Sequence, residues 1–230
     1  MTKLYCDIAD INLIKKFNKK KIIKGFTTNP SLMRKANARD YKAYSKKILK
    51  VTNKPVSIEV FADDQKNMIL QGFKISKWGK NVYVKIPFSN TKGKFNGKVI
   101  NKLNNNNIQL NITAVYTAAQ TKKILKKINK RSKVIISIFA GRMGDAGKDP
   151  MPELKKSINL SKNFKNVQIL WASTREPYNF LQAKKIRCHI ITVPPAIIEK
   201  IEKFGKSFSE LTKDTVKGFL VDSLKSKFKI

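Results

Sequence analysis

The chain has 230 residues, 41% of them hydrophobic, which is enough for one full-sized core, and no apolar run of membrane-spanning length. Its formal charge of +34 is spread through pieces such as "KKFNKKK", "KKILKKINKR" and "LKSKFK" and is not gathered in one tail. With no helix-turn-helix, zinc-finger or RNP-like signature, that charge reads as solvated helix faces, against a nucleic-acid or membrane partner.

Short apolar or β-branched runs alternate with amphipathic stretches from end to end. The expected strands, in order, are "LYCDIA", "KGFTTN", "PVSIEVF", "NVYVKIP", "IQLNITA", "VIISIF", "VQILWAS" and "CHIITVP". Between them, "SLMRKANARDYKAYSKKILK" and "AAQTKKILKKIN" carry apolar residues at spacings of three and four, as helices do. Asp63 and Asp64 suit the N-terminus of the third helix, and "NKLNNNN" reads as a helix end and turn. Eight strands alternating with helices predict a (β/α)8 barrel, a TIM barrel, with a doubly wound open sheet as the alternative. One barrel domain over 1–230 is expected, with 207–228 an additional C-terminal helix. Phe208, Leu211, Val216, Phe219, Leu220 and Leu224 give that helix an apolar face with no further unit to cover it, so a homo-oligomer is expected.

Polar residues fall at the ends of these strands. Residues i and i+2 share a strand face, as Thr27 and Asn29, Asn111 and Thr113, Ser137 and Phe139, and Ser173 and Arg175 would. Asp7, Glu59 and Lys85 add one charge each. In a barrel such ends converge on the C-terminal rim, where the fold places its chemistry. Lys85, in "NVYVKIP", could snorkel from a strand end to water. Seven strands with polar ends favour a functional amine. An amine held among apolar walls and other cations loses its proton more readily. It can then attack a carbonyl and form a Schiff base. Asp7 and Glu59 are the strand carboxylates available for proton transfer, and the chemistry requires no metal or cofactor.

"FTTNPSL", "SIEVF", "VKIP", "LNITAVYTAAQ", "SIFAGR", "WASTR" and "ITVPP" occur in order between residue 3 and about 222, and together they resemble the transaldolase family, which includes fructose 6-phosphate aldolase. The short, single-barrel branch is the most similar. The resemblance implies a class I aldolase barrel with Lys85 as Schiff-base lysine and Asp7 as the acid/base for the substrate hydroxyl. Glu59 and Thr113 match the pair that holds a catalytic water. Thr27, Asn29, Asn111 and Ser137 would bind the dihydroxyacetone part or order the site. Arg142, Ser173 and Arg175 fall where the family holds the substrate phosphate, a role that suits the planar fork of arginine. Glu59 and Phe139 match transaldolases, whereas the fructose 6-phosphate aldolases carry glutamine and tyrosine. Ile138 stands where the family often has proline, and "MGDAGKDP" departs from the usual loop. Sugar phosphates are the implied partners, in the pentose phosphate pathway or in surface-polysaccharide sugar synthesis.

Simpler readings accompany several of these residues. Asn29 could cap the helix begun at Pro30, Glu59 could be a structural ion-pair partner, and the arginines could sit in surface pairs. Asn111, Thr113, Ser137 and Ser173 could be hydrogen-bonded barrel packing. The sole histidine, His189, reads as a packed residue of the eighth strand, and "GRMGDAG" as a flexible loop carrying Arg142. Cys6 and Cys188 give no metal spacing or disulfide framework and read as buried, inert thiols on strands that meet at barrel closure. The start "MTKLYCDIAD" lacks a signal-peptide layout, so a cytoplasmic location is expected. Three functions compete: a transaldolase, an aldolase that frees dihydroxyacetone, and a non-catalytic basic anion-binding barrel.

Overall fold

A computed structural model describes residues 1–227. Eight parallel strands close into a barrel in sequence order: β1 (Lys3–Asp7), β2 (Ile23–Thr27), β3 (Val56–Glu59), β4 (Val82–Pro87), β5 (Leu110–Val115), β6 (Val134–Ile138), β7 (Val167–Trp171) and β8 (Ile190–Val193). β1 pairs with β8 as well as with β2, so no sheet edge is left. The fold class read from the sequence is therefore the observed one.

Helices α1 (Ile11–Asn18) through α10 (Pro195–Ile201) cover the barrel, and several start on a side chain chosen for the task. Asp10, Asn29 and Asp40 accept the backbone N–H three residues on, at the starts of α1, α2 (Pro30–Lys35) and α3 (Tyr41–Val51). The single helix expected over 31–50 is thus two, because Asn37 takes a left-handed φ of 55° and Asp40 restarts the chain. Asp64 caps α4 (Gln65–Ser76) as expected. Asp63 instead crosses to the loop after β4, accepting the Thr91 N–H and Oγ1–H at 2.8 and 2.7 Å. "NKLNNNN" is the end of α5 (Gly97–Asn105) and its turn. The expected flexible loop "GRMGDAG" is largely a short helix, α7 (Ala140–Asp145), closed by Gly147 at a φ of 70°.

Apolar residues fill two separate spaces. Outward-facing strand residues such as Ile58, Val84, Ile112, Ile136 and Ile169 pack under the helices. Inside the barrel a smaller plug of Tyr5, Tyr83, Ile135, Leu170 and Ile190 closes the N-terminal half. Gly25 makes room for it, since a Cβ there would lie 2.5 Å from the Tyr5 ring. Cys6 and Cys188 are buried free thiols. Cys188 falls just before β8, where burial pushes its thiol up to about 12. His189 also precedes β8: its Nδ1 accepts the Ile169 N–H at 3.0 Å, so it ties β7 to β8 as a neutral ring. The last helix, α11 (Phe208–Ser226), opens with a Ser207–Glu210 capping box and has no buried residue. Phe228, within the expected helix range, lies outside the described residues.

Candidate active site

Above the plug, the inward faces turn polar. On β4 the step from Tyr83 to Lys85 keeps the same face, so the lysine enters the barrel with 7% of its surface exposed. Its Nζ lies 3.1 Å from Glu59 Oε2 and donates to the Thr28 carbonyl at 3.1 Å. Of the surroundings expected from the sequence (apolar walls, other cations, and Asp7 and Glu59 for proton transfer), the polar contacts made are to the Glu59 carboxylate and a backbone carbonyl. Glu59 is positioned by register, opposite Lys85 in the β3–β4 pair. Tyr41 of α3 fixes the strand end there, donating to the Glu59 carbonyl at 2.8 Å and accepting its N–H at 3.2 Å.

Two hydrogen-bonded chains flank the lysine. Thr27 Oγ1 donates to Asp7 at 2.6 Å and lies 2.6 Å from Thr192 Oγ1. Burial raises the Asp7 carboxyl above its ordinary 3.8, while Lys85 and the Thr27 hydroxyl pull it back down. On the other side Ser137 donates to Asn111 Oδ1 at 2.7 Å, and Asn111 Nδ2 donates to Ser57 at 2.9 Å. Asn111 and Ser137 are therefore part of a hydrogen-bonded network, as their packing reading anticipates. Thr113 is not: its hydroxyl is buried and has no protein partner. Next to it Ala114 sits at a φ of 56°, and the β5–β6 register shifts there. Strain of this kind gathers at functional rims.

Asp7, Thr27, Asn29, Lys85, Asn111, Thr113, Ser137, Phe139, Arg142, Ser173 and Arg175 all line one hollow of about 350 Å³ at the C-terminal mouth. Glu59 reaches it through Lys85. Not all of them arrive by strand alternation. Asn29 follows β2 and caps α2, accepting the Leu32 N–H at 2.9 Å while facing the hollow. Phe139 follows β6 and begins α7, its ring 6.0 Å from that of Tyr116. Ser173 lies past β7 at a φ of 63°, which breaks the face it was expected to share with Arg175. A Cβ on Gly141 would stand 1.6 Å from the Ser173 carbonyl, so only glycine lets α7 approach this turn. Arg142 lies over the Phe139 ring at 5.2 Å, and Arg175 is paired with Asp145.

Ser57, Thr192, Tyr41 and Lys35 were not singled out from sequence. Ser57 is two residues before Glu59 and Thr192 two after Ile190, so the alternation rule would have found both. Lys35 reaches the hollow from α2 and Tyr41 reaches Glu59 from α3, and neither signal is local.

Larger hollows exist at the other end of the barrel. One of about 640 Å³ is rimmed by Lys46, Lys50, Lys80 and Lys133, beyond the plug and away from Lys85. Among the described residues no three His, Cys, Asp or Glu side chains gather as a metal site. No described helix is long and apolar enough to cross a membrane.

Comparison with known proteins gives the same direction. The chain is 32% identical over 227 residues to a "Probable transaldolase" of Nitrosopumilus maritimus, covering 98% of this chain and 96% of the relative. It is 32% identical over 222 residues to another of Caldicellulosiruptor saccharolyticus, covering 96% of each. Among solved structures, N-acetylneuraminate lyase from Mycoplasma synoviae superposes with a TM-score of 0.54 at 8% identity, over 82% of this chain and 68% of that one, a likeness of fold alone. The Transaldolase/Fructose-6-phosphate aldolase family model matches residues 4–230, and the chain belongs to that family.

Proposed function

We propose that the protein is a transaldolase that carries a dihydroxyacetone unit from a ketose phosphate to an aldose phosphate on Lys85. The observation that carries this reading is the buried Lys85–Glu59 contact at 3.1 Å at the floor of an open polar hollow. Glu59 takes a proton from Lys85, and the free amine adds to the donor's ketone. Glu59 returns its proton to the carbinolamine hydroxyl, which leaves as water held by the unpartnered Thr113 hydroxyl, and the C=N bond of the iminium forms. Asp7 then removes the proton of the adjacent hydroxyl. The carbon–carbon bond breaks, its electron pair flows into the iminium to give an enamine, and the aldehyde leaves. A group that must both take and return a proton works best near the operating pH, and the upward push of burial on Asp7 suits that task.

Transfer in place of release follows from Phe139. Its ring carries no hydroxyl to hold a water against the enamine, so the enamine waits for an aldehyde acceptor. Arg142, Ser173 and Arg175 at the rim suit the phosphate end of donor and acceptor. A homo-oligomer fits α11, where Phe208 and Phe219 are 89% and 70% exposed; light scattering on the full chain and on Phe219→Ser/Leu220→Ser measures it.

Borohydride reduction in the presence of a ketose phosphate, followed by peptide mass spectrometry, tests the covalent step. The expected product is a reduced adduct on Lys85, and an unmodified Lys85 would refute it. Without acceptor, little dihydroxyacetone should appear, and Phe139→Tyr should raise its release relative to transfer. A wild-type protein that frees dihydroxyacetone as fast as it transfers it is an aldolase instead.

A further inference from the structure

The two arginines of the rim are held in different ways. Arg142 lies over the Phe139 ring, and among the described residues no carboxylate comes within ion-pair reach of it. Arg175 is gripped by Asp145: its Nε donates to the two carboxylate oxygens at 3.0 and 3.1 Å, and its Nη2 donates to Oδ2 at 2.5 Å. That two-point geometry is the one a phosphate would use on a guanidinium.

Asp145 ends α7, three residues after Arg142, so one helix face presents a cation and the anion that competes for its neighbour. Arg175 also forms a shared wall. It lines the catalytic hollow and a second one of about 320 Å³ bounded by Gly141, Gly144, Trp171 and Glu176, whereas Asp145 lines only the second. The carboxylate therefore draws the guanidinium outward, away from Lys85. Nothing lies within 4 Å of where a Cβ of Gly144 would be, which leaves open space beside the pair. Both partners are 51% exposed, so the pair is weak enough to exchange.

We infer that Asp145 is a positioning residue that sets phosphate affinity, an internal anion that occupies Arg175 until a dianionic phosphate ester displaces it. A phosphate ester brings close to two negative charges and three strong acceptor oxygens. It can outbid a single carboxylate even though the carboxylate is tethered beside its partner. The competition for Arg175 is a property of the rim alone, and only the identity of the substrates rests on the function proposed above.

The test is a double-mutant cycle with inorganic phosphate as the probe. Wild type, Asp145→Asn, Arg175→Gln and the double variant are titrated calorimetrically at neutral pH. Asp145→Asn should bind phosphate about two- to fivefold tighter, the range set by a half-exposed ion pair, and the gain should vanish once Arg175 is gone. Acetate, a monoanion that relies less on Arg175, should gain no more than phosphate does. In turnover, Asp145→Asn should lower KM for an aldose phosphate with kcat little changed, and Asp145→Glu should restore it. Phosphate binding that is unchanged or weaker in Asp145→Asn, or a gain that survives without Arg175, overturns the proposal. If Lys85 resists borohydride labelling, the transaldolase reading fails while the phosphate cycle still decides the role of Asp145.

Discussion

Along β1, Tyr5 and Asp7 point into the same barrel two residues apart, yet one joins an apolar plug and the other a chain of hydroxyls. β4 repeats the step from Tyr83 to Lys85 and β6 from Ile135 to Ser137. One pleat, about 6.6 Å of strand, separates a floor whose side chains need each other's company from a mouth whose side chains need a ligand or water. The floor obeys close packing. The mouth keeps groups that cost stability: a buried ion pair, a carboxyl pushed upward by burial and an unpartnered hydroxyl. Stability and chemistry are thus divided by height within one barrel, which lets either be altered while the other is measured.

The largest effect belongs to the mouth. Lys85→Arg preserves the charge facing Glu59 but removes the proposed nucleophile, and turnover should fall on the order of a millionfold, the scale for loss of an enzymic nucleophile. Thermal melting should move little by comparison. Normal turnover in this variant would end the covalent reading.

Ile190→Ala makes the opposite cut. It opens a cavity among Tyr5, Tyr83 and Leu170 and should cost about 2–5 kcal/mol in denaturant unfolding, as large-to-small core changes do. Its effect on catalysis should trail its effect on stability. A loss of activity with no loss of stability would show that floor and mouth are not separable.

Thr113→Val puts both halves in one experiment. Replacing an orphaned buried hydroxyl with a methyl should stabilise the fold by about 1 kcal/mol, while imine formation slows in single-turnover kinetics. A lower melting temperature would mean that the hydroxyl is satisfied by bound water in the folded state.

The smallest effect is in pH. His189, at the floor end, is held below its ordinary 6.5 mainly by burial, helped by Lys3 and the N-terminus. A depressed folded value means that its contribution to stability is fully present above about pH 6.5 and is lost as pH falls through that lower value. Asp7 has the reverse sign: its raised value gives a contribution present below 3.8 and lost as pH rises through the folded value. His189→Gln should flatten the acid-side slope of the melting temperature near and below pH 6.5. An unchanged slope would remove the histidine from the account.

Alternation of apolar runs with amphipathic helices was enough to give eight strands and a barrel, because strand and helix periods are local properties of the chain. The i, i+2 rule also gave Lys85, Asp7, Thr27, Asn111, Thr113 and Ser137 as inward residues, since a strand offers only two faces. Tertiary structure decided the rest. Register set Glu59 directly against Lys85, which made this one of the two available carboxylates the lysine's ion-pair partner. A left-handed Ser173 and a glycine at 141 turned "GRMGD" into a helix that places Phe139 and Arg142 over the mouth, and a left-handed Asn37 divided the second helical stretch. Tyr41 and Asp145 act on residues 18 and 30 positions away (Glu59 and Arg175), and no pattern along the chain announces such pairings. The period of a strand is written in neighbouring residues, whereas the partner of a charge is fixed only when the barrel closes.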